Sequence, residues 1–309
     1  MMSVPILIAP QPFGPHGVCL ALGLFDGVHL GHQHVVRQAK IDARARGAAT
    51  VVATFDPHPL AVVRPEKAPR LLQSLAQRLA SLEEQGADAV LVLRFDAAMS
   101  QKSGEEFVRE LVSGFGGLRS FTVGQGFHFG QGRSGNVALL RLLGRELGFS
   151  VNAMAPIHIG AEIVSSTRVR SALRDGKLSL VAELLGRPYS LAGPVVRGDQ
   201  LGQSLGFPTA NIDVTGLELP PFGVYAARAR HAGGEFPAAV NLGLRPTLQS
   251  SQPQLRFESH LIGFQGDLYD QDLTVELVSF LRPERRFAHL EALKAQIAKD
   301  IVAAQKALF

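Results

Sequence analysis

The chain of 309 residues is long enough for two domains with separate cores. Apolar residues make up 46% and charged residues 19%, which excludes a disordered chain, and no apolar run reaches the ~18–20 residues a membrane helix needs. The net charge of +4 rests on short clusters such as Arg282-Pro-Glu-Arg-Arg286; these demand neither nucleic acid nor a membrane surface, and polyanionic small substrates suit them as well.

The opening MMSVPILIAPQPF lacks a basic n-region and a small-residue cleavage site, so a cytoplasmic protein is expected. VCLALGLF (18–25) is an apolar run of strand length, and Cys19 within it, the one cysteine, is expected as a buried thiol. Further runs follow at 48–55, 87–95, 120–124 and 149–156, with helical patterns at 33–46, 71–85, 103–113 and 136–147 between them. In the second pattern Leu71, Leu72, Leu75, Leu79 and Leu82 form one stripe that Gly86 ends. The third opens with Ser103 and Glu106 at capping-box spacing. Near-continuous apolar strands alternating with helices imply a parallel sheet covered on both faces, a doubly wound α/β fold whose ligands lie beyond the carboxyl ends of the strands.

After about residue 186 glycine and proline crowd the chain and helical periodicity disappears. FGVYAARAR and EFPAAVNLG flank His231-Ala-Gly-Gly, a hairpin signal. LRFESHLI and DLTVELVSFLR flank a loop with Tyr269-Asp270. Successive strands without helices predict an antiparallel barrel, closed by a helix over about 288–307 with Leu290, Leu293, Ile297 and Ile301 on one face. The boundary is placed near residue 185.

Three segments carry chemistry. The first strand runs into Asp26-Gly-Val-His29-Leu-Gly31-His32 and then a helix. Gly27 and Gly31 let the backbone turn tightly, and the helix N-terminus offers N–H groups to an anion. His29 and His32 can add hydrogen bonds to phosphate oxygens, and fixed donors of this kind stabilise the charge of adenylyl transfer. Zinc is disfavoured because no Cys or acidic motif completes a ligand set. Ser165-Ser-Thr-Arg168 before a short helix suits distal phosphates, or simply caps that helix. Phe55-Asp56-Pro-His58-Pro is a rigid turn at a strand end with two polar groups. From these residues alone an adenylyl- or cytidylyltransferase, an aminoacyl-tRNA synthetase fragment and a nucleic-acid-binding protein with a dead nucleotide pocket stay open. The synthetase would need a lysine loop where SSTRVR has none; the last would need basic, aromatic-rich strands.

The residues resemble a family, the bifunctional riboflavin kinase/FAD synthetases of bacteria. The matching segments are GLFDGVHLGHQ (23–33), TFDPHP (54–59), GQGFHFGQGRSGN (124–136) and SSTRVRSAL (165–173), then GRPYSLAGPVVRGD (186–199), LGFPTANI (205–212), FGVYA (222–226), VNLGLRPT (240–247), GDLYD (266–270) and LRPERRF (281–287). The resemblance implies a doubly wound nucleotidyltransferase domain over 1–185, adenylylating FMN to FAD with release of pyrophosphate. It implies a β-barrel kinase domain with a C-terminal helix over 186–309, phosphorylating riboflavin to FMN. ATP and Mg²⁺ would serve the reactions, with no nucleic acid or membrane partner.

Carried over by motif, His29 and His32 would contact ATP phosphates and Ser165, Ser166, Thr167 and Arg168 the distal ones. Gly23, Phe25, Asp26, Gly27, Gly31, Asp56, His58, Gly124 and Phe127 would complete the nucleotide and flavin surfaces. In the barrel, Thr209 and Asn211 would position Mg²⁺, Glu258 would be the general base toward the ribityl 5′-hydroxyl, and Gly206, Pro208, Asn241, Arg282 and Glu284 would line the site. A base is expected on chemical grounds too, since a primary alcohol must lose its proton on phosphorylation. The strand period puts Arg256, Glu258 and His260 on one face, as a solvated strand face would also have it. The chain departs from the family at Gly126, where a polar residue is usual, and at His128, where a basic one is. Gln203 and Gly263 also depart. A contact to substrate or metal is expected to be missing at Gly126, so the alternative of a kinase with a weakened adenylyltransferase site stands.

Overall fold

The computed structural model describes residues 4–197, 202, 205–245 and 254–308. Its chain groups into two units: Met1–Leu71 with Leu75–Ser166, and Leu72–Ser74 with Thr167–Phe309. Gln203 lies outside the described residues.

In the first unit the apolar runs become β1 (Ile6–Leu7), β2 (Val18–Leu22), β3 (Ala49–Asp56), β4 (Ala89–Arg94), β5 (Leu118–Gly124) and β6 (Ser150–Met154). They form one parallel sheet in the order β1-β4-β3-β2-β5-β6. Alternate residues serve opposite layers. Leu20, Leu22 and Ala53 pack with Phe107, Leu111 and Leu140, whereas Ala21, Val52 and Val90 pack with Val35, Val36 and Leu82. Two-sided burial is why these strands read as unbroken apolar runs. Cys19 is fully buried, as expected, and burial pushes its thiol pKa up.

The helices of this unit are α1 (Leu30–Arg46), α2 (Pro59–Val63), α3 (Leu75–Glu84), α4 (Ala97–Gln101), α5 (Gly104–Phe115) and α6 (Val137–Leu147). The Ser103–Glu106 capping box forms, with the Glu106 carboxylate 2.8 Å from Ser103 N and Ser103 Oγ 3.2 Å from Glu106 N. Gly86, at φ 82°, ends α3 as predicted. The predicted helix over 71–85 starts late, however, at Leu75. Leu71 and Leu72 precede it, and the Leu72 carbonyl accepts a hydrogen bond from the Tyr189 hydroxyl at 3.2 Å instead of opening a helical turn.

The chain continues through a two-residue pair, β7 (His158–Ile159) with β8 (Glu162–Ile163), into α7 (Ser166–Arg174) and α8 (Leu178–Leu185). In the second unit β9 (Ser190–Val196), β10 (Ala210–Ile212), β11 (Gly223–His231), β12 (Gly234–Arg245), β13 (Gln254–Leu261) and β14 (Asp272–Arg282) close into an antiparallel barrel of order β10-β13-β12-β11-β14-β9. β9 pairs with β10 to complete the ring. The predicted hairpin pairs β11 with β12, His231 opposite Gly234. Val240, Leu242, Phe257, Leu273 and Val275 are buried in this unit, with Tyr225, whose hydroxyl donates to the Pro221 carbonyl. The closing helix, α9 (Leu290–Leu308), packs on β11, β12 and β14.

Candidate active sites

In the first unit the sheet reverses direction of build between β2 and β5: β3 and β4 extend one side of β2, β5 and β6 the other. Ligands of doubly wound sheets bind at such a switch point. The loop from Gly23 to His29 leaves β2 there. Asp56 ends neighbouring β3 and His58 follows it, while Gly124 ends β5 on the other side, with Phe127 after it. The fold thus gathers three sequence-predicted segments on adjacent strand ends.

The loop is bent hard. Phe25, Gly27 and Val28 have φ of 51°, 84° and 39°, a region costly for an aromatic and a β-branched residue. Side chains from separate elements hold its alternate carbonyls. The Leu24 carbonyl accepts from Thr54 Oγ1 at 2.9 Å and from Arg78 Nη1 at 3.1 Å. The Asp26 carbonyl accepts from Ser166 Oγ at 2.9 Å, and that of Val28 from Gln33 Nε2 at 2.9 Å. Asp26 itself is buried.

His29 is the N-cap of α1, its Nδ1 accepting from His32 N at 3.3 Å. The two imidazoles stack at 3.6 Å between ring centroids, and Phe25 packs edge-on to His32 at 5.2 Å. A Cβ on Gly31 would lie 3.1 Å from the His29 ring, so glycine lets that ring sit against the helix start. His58 caps α2, accepting from Leu60 N at 3.2 Å. Asp56 pairs with Arg78 at 3.3 Å. Arg78 is only 3% exposed; burial pushes its pKa down, opposed by Asp56 and then Asp26. Gly126 is open: no atom of the described residues lies within 4 Å of where a Cβ would stand. His128 Nδ1 lies 2.9 Å from the Gly126 carbonyl. Of the distal-phosphate candidates, Ser165 and Ser166 close this unit, whereas Thr167 and Arg168 belong to the second.

In the second unit a cavity of about 320 Å³ lies between strands β10, β12 and β13 and the helix α9. Register builds its polar wall. Glu258 on β13 stands opposite Asn211 on β10 and opposite Asn241 on β12. These three residues form a row across three strands, and all line the cavity with Thr209. Arg256 and His260 flank Glu258 on the same face, while Phe257 and Ser259 point the other way and are fully buried. The face therefore lines a cavity and is not a freely solvated one. His260 Nδ1 lies 2.8 Å from the Pro208 carbonyl, tying the segment before β10 to β13. Gly206 and Pro208 are exposed beside it.

Arg282 lines the cavity but is committed to α9: its Nε and Nη2 donate to the two Asp300 oxygens at 2.9 and 2.6 Å. Gln296 Nε2 also donates to Asp300, at 2.7 Å. The Glu284 carboxylate lies over Gly243, where any side chain would collide with it. Among the described residues no cluster of three or more His, Cys, Asp or Glu side chains is arranged to hold a metal.

Family models match both halves: FAD synthetase over residues 13–168 and riboflavin kinase over 185–308. The chain is 38% identical to the bifunctional riboflavin kinase/FMN adenylyltransferase of Escherichia coli K12 over 96% of its length and 94% of that protein's. It is 40% identical to the protein of the same description from Pseudomonas fluorescens, over 94% and 93%. The chain belongs to the bifunctional riboflavin kinase/FMN adenylyltransferase family. Its fold is also that of a crystal structure described as a macrolide-efflux protein from Streptococcus pneumoniae, with TM-score 0.83 and 24% identity over 98% of this chain and 99% of the other. That likeness is one of fold, and among the described residues no helix is long and apolar enough to cross a membrane.

Against this family background, sequence reasoning missed the residues that hold the sites in shape. Thr54, Gln33 and Arg78 clamp the first loop, and Asp300 fixes one wall of the cavity; His260 was expected on its face, but not its tie to the Pro208 carbonyl. Thr54 lies inside the TFDPHP segment, yet its partner, a backbone carbonyl 30 residues away, has no signature in sequence.

Proposed function

We propose that the corner after β2 carries FMN adenylyl transfer and the barrel cavity riboflavin phosphorylation, with residues 1–185 and 186–309 as the two functional domains. The observation that carries the kinase assignment is the in-register row Asn211–Glu258–Asn241 on a cavity wall. Glu258 accepts the proton of riboflavin's primary hydroxyl as its oxygen bonds to the γ-phosphorus and ADP departs. The flanking amides orient carboxylate, alcohol and phosphate. Mg²⁺ fits here: Asn211 Oδ1 is buried and has no hydrogen-bond partner among the described residues, and with the Thr209 hydroxyl it offers the hard oxygens this ion takes beside substrate phosphates. When bound, the ion would neutralise charge on the phosphate oxygens in transfer.

At the first site an FMN phosphate oxygen attacks the α-phosphorus of ATP and pyrophosphate leaves. His29, His32 and the N-terminus of α1 stabilise the charge that develops on the phosphate oxygens. The support is their place at the switch point. ATP chemistry and the cytoplasmic expectation agree with this reading. The test supplies riboflavin, ATP and Mg²⁺ and separates flavins over time. FMN followed by FAD is the expected course; FMN alone would show the first site impaired around Gly126, and neither product would refute the assignment.

A further inference from the structure

We propose that Arg78 is a positioning residue for adenylyl transfer, holding the phosphate loop and the Asp56 turn in one geometry through its two-pronged guanidinium. This rests on the assignment of that loop to adenylyl transfer.

Arg78 sits on α3, remote in sequence from either segment, and is 3% exposed. One prong, Nη1, donates to the Leu24 carbonyl at 3.1 Å; the other, Nη2, reaches Asp56 Oδ1 at 3.3 Å. Leu24 immediately precedes Phe25, whose φ of 51° opens the strained turn. Strain of this kind persists only where the surroundings over-determine it. Thr54 alone could hold the Leu24 carbonyl, so the second donor has another consequence: it makes the loop's position depend on where Asp56 stands. The cation also lies in the field of two carboxylates, Asp56 and the buried Asp26. Burying an arginine for packing alone is unfavourable; here its forked donors span two strand ends that must both meet the nucleotide. A lysine, a single point charge, cannot span them.

The experiment compares wild type, Arg78→Met, Arg78→Lys, Asp56→Asn and the Arg78→Met/Asp56→Asn double variant in the full chain. FMN adenylylation, riboflavin phosphorylation and thermal midpoint are measured for each. Misplacing a loop by about 1 Å costs roughly a hundredfold in rate. Both Arg78 variants are therefore expected to lose about that factor in kcat for FAD, with the KM for ATP changing less than about threefold, because the loss falls on transition-state contacts. Riboflavin phosphorylation stays at the wild-type rate. The double variant loses no more than Arg78→Met alone, the mark of residues acting as one. Fully additive losses, an unchanged FAD rate in Arg78→Met, or full activity in Arg78→Lys would each overturn the proposal. So would a loss that tracks a collapsed thermal midpoint in both variants. If wild type itself makes no FAD from FMN, the site assignment beneath it fails instead.

Discussion

The two candidate sites are built by opposite means. The first is a loop with backbone dihedrals of high cost, kept in place by Thr54, Arg78, Ser166 and Gln33 on its carbonyls. The second is a wall of regular strands in which Asn211, Glu258 and Asn241 meet because three strands pair in one register. A loop concentrates N–H groups and bends around a phosphate. A wall fixes a carboxylate for proton transfer, and a closed barrel has no edge along which the pairing could slip. Damage to the loop should therefore act by displacing its backbone, and damage to the wall by removing a single functional group.

The strongest test of this contrast is Glu258→Gln. On the proposed assignment it removes the base while keeping shape, so the riboflavin phosphorylation rate should fall by roughly 10²–10⁴-fold with FMN-to-FAD conversion untouched. Loss of both activities would end the two-site picture. Next comes His29, where cap and catalysis can be separated. His29→Asn keeps an N-cap acceptor and His29→Ala does not. Both should lose about 10²–10³-fold in FAD formation, but only the alanine variant should lose thermal stability; a fully active asparagine variant would reduce His29 to a cap. Asn211→Ala should raise the Mg²⁺ concentration needed for half-maximal kinase activity by about tenfold, an effect that an unaltered Mg²⁺ titration would contradict.

Smaller effects sharpen the picture. Gly126 has open space and no left-handed φ, so Gly126→Asp should be accommodated without strain. If the missing polar group weakens flavin or metal binding, aspartate should tighten FMN binding by about 1 kcal/mol; unchanged FMN and Mg²⁺ dependence argues that glycine costs nothing there. Burial pushes the Tyr225 pKa up to about 12. Its neutral form is favoured by the fold, so this stabilisation is full below the ordinary value near 10 and is lost as pH rises toward about 12. Tyr225→Phe should flatten that alkaline loss while costing about 1 kcal/mol at neutral pH for the hydrogen bond to Pro221. Denaturation curves between pH 7 and 11 decide it.

Much of this architecture was legible because buried parallel strands leave continuous apolar runs and helix ends leave caps. Ser103 with Glu106, and Gly86, fell where the chemistry of their residue types predicts. The two-residue β1 and the five-residue α2 and α4 are too short to carry a period. The barrel was readable as a class, but not its pairing: β13 lies against β10 and β12, and β14 against β9 and β11. Alternation put Glu258, Arg256 and His260 on one face, yet could not say that Asn211 and Asn241 stand beside Glu258, since register is set by three distant segments. Arg78 was hidden for a related reason. The leucine stripe announced the apolar face of α3, and a cation buried against a carbonyl and a carboxylate leaves no periodic trace.

The clasp between Arg282 and Asp300 also bears on how the molecule comes into being. A chain made from its N-terminus folds its earlier domain first. The parallel sheet and the strained loop after β2 are complete once Ser166 has emerged. The cavity lacks its last wall until Asp300, midway along α9, is available to hold Arg282. On the proposed assignment, the half that consumes FMN is assembled before the half that makes it. A nascent chain, or one cut short within the last helix, would then be able to draw on flavin made elsewhere but not to supply its own.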